Sequence, residues 1–207
     1  MKLSAFSRDF APANGCHDWR LPVRWRNVRF VFALLGLSGL TACASLWLAG
    51  GLPLMKVAPE ILGTRTVEQR LTIVWPGEQR VLEAVLDIQP GKMTVIGLTF
   101  GARLFSFDYD GKKITVTQPL PRGMSAQRII NDLLLAYAPL DVLTAALPTD
   151  WSVREEQGRR RVFRDEALAI SIHYVEGSLW QGRVVLDNHA LHYQLTLDSR
   201  EETADVP

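Results

Sequence analysis

From Arg65 onward, apolar and polar positions alternate with a period of two. Leu71, Ile73 and Trp75 share one face, and Pro76-Gly77 supplies a turn. Leu82, Ala84, Leu86 and Ile88 then oppose Glu83, Val85 and Asp87, until Pro90-Gly91 turns the chain again. Met93 to Phe100 reads as a third strand ending at Gly101. Leu104 to Tyr109 reads as a fourth, with Phe105, Phe107 and Tyr109 on a common face. Asp110-Gly111 is a hairpin signal, after which Ile114 and Val116 resume the alternation. The pattern predicts an antiparallel meander.

At Ser125 the period changes. Ser is a good helix N-cap, and Ile129, Ile130, Leu133, Leu134 and Tyr137 follow at helical spacing, with Gln127, Arg128, Asn131 and Asp132 on the polar side. Pro139 interrupts this helix. Leu140, Val142, Leu143, Ala146 and Leu147 extend the apolar pattern as far as Pro148. Strands then return around turns at Gln157-Gly158 and Asp187-Asn188, the last one carrying Leu191, Tyr193, Leu195 and Leu197.

One-sided strands need a cover, and the helical insertion is the obvious one. The expected fold is therefore α+β: a curved antiparallel sheet of about nine strands or more, an incomplete barrel, with the helical insertion over its apolar face. The expected boundaries are an N-terminal extension and leader over 1–42, Cys43 with a Pro- and Gly-rich tether over 43–64, the β domain over 65–200, and a polar tail over 201–207.

The leader is read from Arg24, Arg26 and Arg29, which precede the uncharged run Phe30 to Ala42, with Leu40-Thr41-Ala42-Cys43 at its end. A basic flank, an apolar middle and small residues before a cleavage point define a secretory signal. The same segment admits a second reading. No charge occurs between Arg29 and Lys56, which is long enough for an uncleaved inner-membrane anchor, although Gly50-Gly51 and Pro53 weaken such a helix.

Charge sharpens the picture. Six basic and two acidic residues precede Cys43, leaving 17 basic and 20 acidic residues from Cys43 onward. That slightly acidic balance gives no basic face for nucleic acid. Arg159-Arg160-Arg161 reads as a solvated turn or strand end. The two cysteines are Cys16 and Cys43, so removal of the leader leaves no pair for an internal disulfide, and the domain must rely on its core.

Catalytic chemistry is sparse. His189 and His192 are three apart in an expected strand and so point to opposite faces, unsuited to a shared metal. No nucleophile elbow or glycine-rich phosphate loop occurs, and neither an enzyme nor a cofactor is expected. The informative residues are apolar: Leu98, Phe100, Leu104, Phe105 and Phe107 around the Gly101 turn, and Leu133, Leu134, Tyr137, Leu140 and Leu143 from the helical region. Individually they are ordinary core residues. Together they are the candidate lining of a groove for an acyl chain or similar ligand, with Phe100, beside a turn glycine, the least easily explained as core.

Three segments carry a resemblance: GLTFGARLFSFDYDG (97–111), LLLAYAPLDVLTAALP (133–148) and WQGRVVLDNHALHYQLTLDS (180–199). With the lipobox-like Leu40 to Cys43, the chain resembles a domain-of-unknown-function family of outer-membrane lipoproteins encoded beside aryl-polyene gene clusters in Gram-negative bacteria. The lipobox resemblance implies acylation of Cys43 and cleavage before it. Ala44-Ser45, lacking an aspartate after the cysteine, resembles the outer-membrane sorting pattern. More distantly, the strand–helix–strand order is similar to the lipoprotein-localisation factors LolA and LolB. That likeness implies an apolar cavity under capping helices, and a protruding loop at whose tip Phe100 would stand.

The expectation is a monomeric, non-catalytic lipoprotein on the periplasmic face of the outer membrane. It would bind or pass on an apolar lipid-like molecule or acylated protein. The alternatives are a structural or assembly lipoprotein docking a protein partner and, behind it, an envelope hydrolase.

Overall fold

The computed structural model describes residues 51–201. Ten strands form one antiparallel sheet: β1 (Arg65–Trp75), β2 (Glu78–Gln89), β3 (Lys92–Thr99), β4 (Ala102–Tyr109), β5 (Ile114–Gln118), β6 (Trp151–Glu156), β7 (Arg159–Arg164), β8 (Ala167–Ser178), β9 (Gln181–Asn188) and β10 (Tyr193–Glu201). Two helices, α1 (Ala126–Tyr137) and α2 (Leu140–Ala146), lie between β5 and β6 in sequence.

The spatial order is β5-β4-β3-β2-β1-β10-β9-β8-β7-β6. Two five-stranded meanders thus join where the first strand pairs with the last, through a register that includes Leu71 opposite Leu197 and Ile73 opposite Leu195. β5 and β6 are the free edges, so the sheet does not close. The helical segment carries the chain from one edge to the other, and so crosses the face it covers. The expected incomplete barrel with a helical cover is the observed fold.

Alternation sets the inward face. Val67 and Leu71 on β1, Leu82, Ala84, Leu86 and Ile88 on β2, and Tyr193, Leu195 and Leu197 on β10 are all buried. Gly97 on β3 pairs with Phe105 on β4, and a Cβ there would collide with the Phe105 ring, so only glycine leaves room for it. A β-bulge follows between Gly97 and Leu98, with Leu104 as the extra residue.

Ser125 caps α1 by accepting from the Arg128 N–H at 3.4 Å. Residues Ile130 and Leu133 to Ala138 are buried beneath it. The segment read as a tether packs against the domain from Leu52 on. Leu52, Met55, Val57 and Leu62 join the core. Asn131 holds this strap by accepting from the Met55 N–H at 3.0 Å and donating to the Leu52 and Pro53 carbonyls at 2.9 Å each. Tyr109 Oη donates to the Met55 carbonyl at 2.7 Å and accepts from the Val57 N–H at 3.0 Å. The described core runs from Leu52 to Leu197.

Arg160 departs from its reading as a solvated strand end. It is buried, and its Nη1 donates to the Leu135 and Ala138 carbonyls at 2.6 and 2.9 Å. Pro139 leaves the last carbonyls of α1 without helical partners, and this guanidinium supplies them. Glu155 balances the charge at 3.0 Å.

Candidate functional site

Between α1 and the concave sheet runs an open apolar cleft. Its empty space, mouth included, is about 710 Å³, while the interior proper measures about 70 Å³. The floor is Leu71, Ile73 and Trp75 of β1, Ala84 and Leu86 of β2, Val95 of β3, Phe105 of β4, and Leu195 and Leu197 of β10. The wall is Ile129 and Leu133 of α1, and Gly123, Met124 and Ser125 stand at the mouth. The interior holds only a few methylene groups at once. A long chain must therefore lie along the open cleft or lift α1 from the sheet.

Polar groups enter at few points. Arg128 lies near the mouth with its guanidinium 5.8 Å from the Tyr193 ring centroid, and it makes no ion pair among the described residues. One turn further along α1, Asp132 is buried on the cleft wall. Its Oδ2 accepts from Tyr193 Oη at 2.7 Å, and Tyr193 Oη accepts from Asn188 Nδ2 at 3.2 Å. Burial pushes the Asp132 carboxyl up to about 7, against the opposing pull of the Tyr193 hydrogen bond and the Arg128 charge. Burial, together with the Asp132 charge, also pushes the Tyr193 phenol up.

Gln69 of β1 is the remaining polar residue of the floor. Its Nε2 donates to Tyr137 Oη and Ser199 Oγ, each at 2.9 Å, and those two hydroxyls lie 2.8 Å apart. All three contacts are hydrogen bonds only when the amide NH₂ faces the hydroxyls, because two hydroxyl protons spent on an amide oxygen would leave none between them. Gln69 Oε1 is thereby turned away, buried and without a partner among the described residues.

Of the residues expected to line a groove, Phe105 and Leu133 reach the cleft. Phe107, Leu134 and Leu143 are fully buried core. Tyr137 is locked elsewhere, stacked on Trp180 at 4.1 Å between ring centroids and tied to Gln69 and Ser199. Leu98 lies opposite Glu83 and beside Glu68, Arg70 and Arg200, because the alternation turns it to the outer face. Leu104 and Leu140 are partly buried against the core. Sequence reading missed the β1, β2 and β10 floor. Those residues alternate like any one-sided strand, and nothing local marks which of them stay uncovered by the helix.

Phe100 is fully exposed, at 105% of the reference area, in the two-residue connection between β3 and β4. Phe100 and Gly101 have φ of 49° and 75°, both left-handed, as the tightest hairpin turn requires. Asn or Asp is the usual residue at the first of these positions. A bulky aromatic residue there carries strain and gains no burial. By the antiparallel registers, this tip lies at the same end of the sheet as Trp75, the start of β10 and the mouth of the cleft.

His189 and His192 fall in the connection between β9 and β10, not in a strand; His189 Nε2 is paired with Ser171 Oγ at 3.0 Å. Among the described residues, no group of three or more His, Cys, Asp or Glu side chains is placed to hold a metal. Nor is any described helix long and apolar enough to cross a membrane. Cys43 and the leader lie outside the described residues.

A family model described as protein of unknown function (DUF3261) matches residues 66–201, which is the whole ten-stranded sheet with its helices. The chain belongs to the DUF3261 family. The match spans both halves of the sheet and the helical crossing, so every residue lining the cleft lies within it. No curated protein matches the chain. Among solved structures, a DUF1329 family protein from Desulfovibrio piger ATCC 29098 aligns over 72% of this chain and 90% of its own, at 9% identity and a TM-score of 0.37. A likeness at that level carries no argument about function.

Proposed function

We propose that this DUF3261 protein is an outer-membrane lipoprotein, anchored through Cys43 on the periplasmic face, that binds or passes on an apolar lipid-like ligand. The observation that carries the reading is the cleft, an open apolar trough between α1 and the sheet with its polar groups confined to a few points. Trough-shaped apolar sites with sparse polar groups suit ligands that are mostly hydrocarbon. The exposed Phe100 stands at the mouth end, where it would meet a membrane or the ligand as it enters. The protein is read as non-catalytic, with the aryl-polyene gene neighbourhood of its resemblance making a polyene lipid one candidate cargo and an acylated protein another.

A soluble form beginning after Cys43, purified from the periplasm and extracted with organic solvent, tests this. The expected result is a stoichiometric acyl or polyene species. A stable, ligand-free domain would move the assignment to a structural lipoprotein, for which the strained and exposed Phe100 tip would be the docking point of a protein partner.

A further inference from the structure

We propose that the cleft recognises a long-chain ligand bearing a hydrogen-bond donor, a hydroxyl or an amide N–H, and that Asp132 is the residue that accepts it. This rests on the reading of the cleft as a lipid site and names the chemical class it takes.

The argument is one of unspent hydrogen-bonding capacity. Asp132 is 6% exposed and lies on the cleft wall. Its Oδ2 is engaged by Tyr193, while its Oδ1 has no partner among the described residues and is not sealed from solvent, so it opens on the cleft. Gln69, 3% exposed on the floor of the same cleft, leaves its buried Oε1 without a partner among the described residues. Buried acceptors are costly to leave unmade, and natural proteins keep few of them. An open carboxyl oxygen on an otherwise apolar wall, with one buried acceptor behind the floor, makes a site short of donors. A hydrocarbon chain alone supplies none. A carboxylate or phosphate placed beside Asp132 would bring acceptors to acceptors.

Position agrees with this. Asp132 lies seven residues beyond Ser125, about 10 Å along α1 from the mouth. Apolar Ile129 and Leu133 flank it on the same wall. A donor held there belongs to a group with hydrocarbon on both sides or just inside a polar head. Arg128, nearer the mouth and without an ion pair among the described residues, faces whatever head remains outside. Above about pH 7 this carboxyl is ionised and its free oxygen only accepts, so the donor preference is read at pH 8.5.

The test uses the full chain in phosphatidylcholine vesicles with two photoactivatable twelve-carbon probes, a primary alcohol and its methyl ether. The chain is the same and only the donor differs. Labelled peptides are located by mass spectrometry. The expected result is labelling of the α1 and β10 peptides with about tenfold preference for the alcohol, the value of one good hydrogen bond. The double variant Asp132→Leu/Tyr193→Phe removes the Asp132–Tyr193 pair together, leaving only Asn188 Nδ2 without its partner; in it the preference disappears. Asp132→Asn, whose single oxygen stays with Tyr193 and whose NH₂ then faces the ligand, loses it as well. Equal labelling of the cleft by both probes in the wild-type protein overturns the assignment to Asp132 and leaves the lipid site standing. Absence of cleft labelling by either probe overturns both.

Discussion

Tyr193, the first residue of the last strand, donates a 2.7 Å hydrogen bond to Asp132 on the second turn of α1. The bond ties the helix to the middle of the sheet, beside the β1–β10 pairing that joins the two meanders. Burial under the helix raises the Asp132 carboxyl, and the Tyr193 bond pulls the other way.

That burial has a pH signature. The Asp132 carboxyl moves from 3.8 to about 7 on folding. Between those values the folded protein holds a proton that the unfolded chain has lost, so this group's contribution falls as pH rises through the window and levels off above about 7. The cost at high pH is of the order of a few kcal/mol. Asp132→Asn removes the titration. Urea unfolding of both proteins from pH 4.5 to 8.5 should show the variant gaining on the wild type as pH rises; parallel profiles would refute the account. Comparing the two proteins also cancels groups of opposite sign, such as Asp110, whose carboxyl is lowered by the Lys113 and Lys112 N–H groups.

Arg160 gives a prediction about the helix rather than the cleft. Its two bonds to the end of α1 are buried, while Glu155, its ion-pair partner, is 38% exposed at the side chain. Arg160→Met should destabilise the domain by about 2 kcal/mol, because the Leu135 and Ala138 carbonyls lose their donor. Glu155→Gln should cost less than about 1 kcal/mol. Equal losses in chemical denaturation would mean that the ion pair, and not the helix cap, is what matters.

Phe100 inverts the usual direction of a mutational effect. Asn accepts the left-handed conformation more readily than Phe, and the exposed ring contributes no burial. Phe100→Asn should therefore raise stability by about 1 kcal/mol while weakening membrane or ligand capture. Thermal melts and vesicle flotation measure the two effects separately. A variant that is both more stable and equally active would leave the tip without a role.

Much of the fold was legible because its signals are local. Period-two runs broken by Pro76-Gly77, Pro90-Gly91 and Asp110-Gly111 mark the first meander, and Ser125 and Pro139 punctuate the helices, as found. Less visible was what depends on pairing across long sequence distances. The β1–β10 seam joins residues more than a hundred positions apart, and it is this seam that turns Leu71, Leu195 and Leu197 into one floor. Asp132 looked like part of a solvated helix face, since helical spacing cannot say that β10 covers that side. Arg160 was hidden the same way, in a run of three arginines of which alternation buries the middle one. Phe100 alone among the site candidates was readable for a local reason: a large apolar residue beside a turn glycine has nowhere to be buried.

The most direct test of the cleft as a lipid site is to close it. Ile129 is half-buried on the α1 wall, so Ile129→Trp adds bulk at the cleft without entering the packed core. Binding of a dansyl-labelled fatty acid to a soluble form beginning after Cys43 should be saturable with one site in the wild type, and at least about tenfold weaker in the variant at an unchanged melting temperature. Equal binding by the two proteins would place the ligand elsewhere and contradict the account.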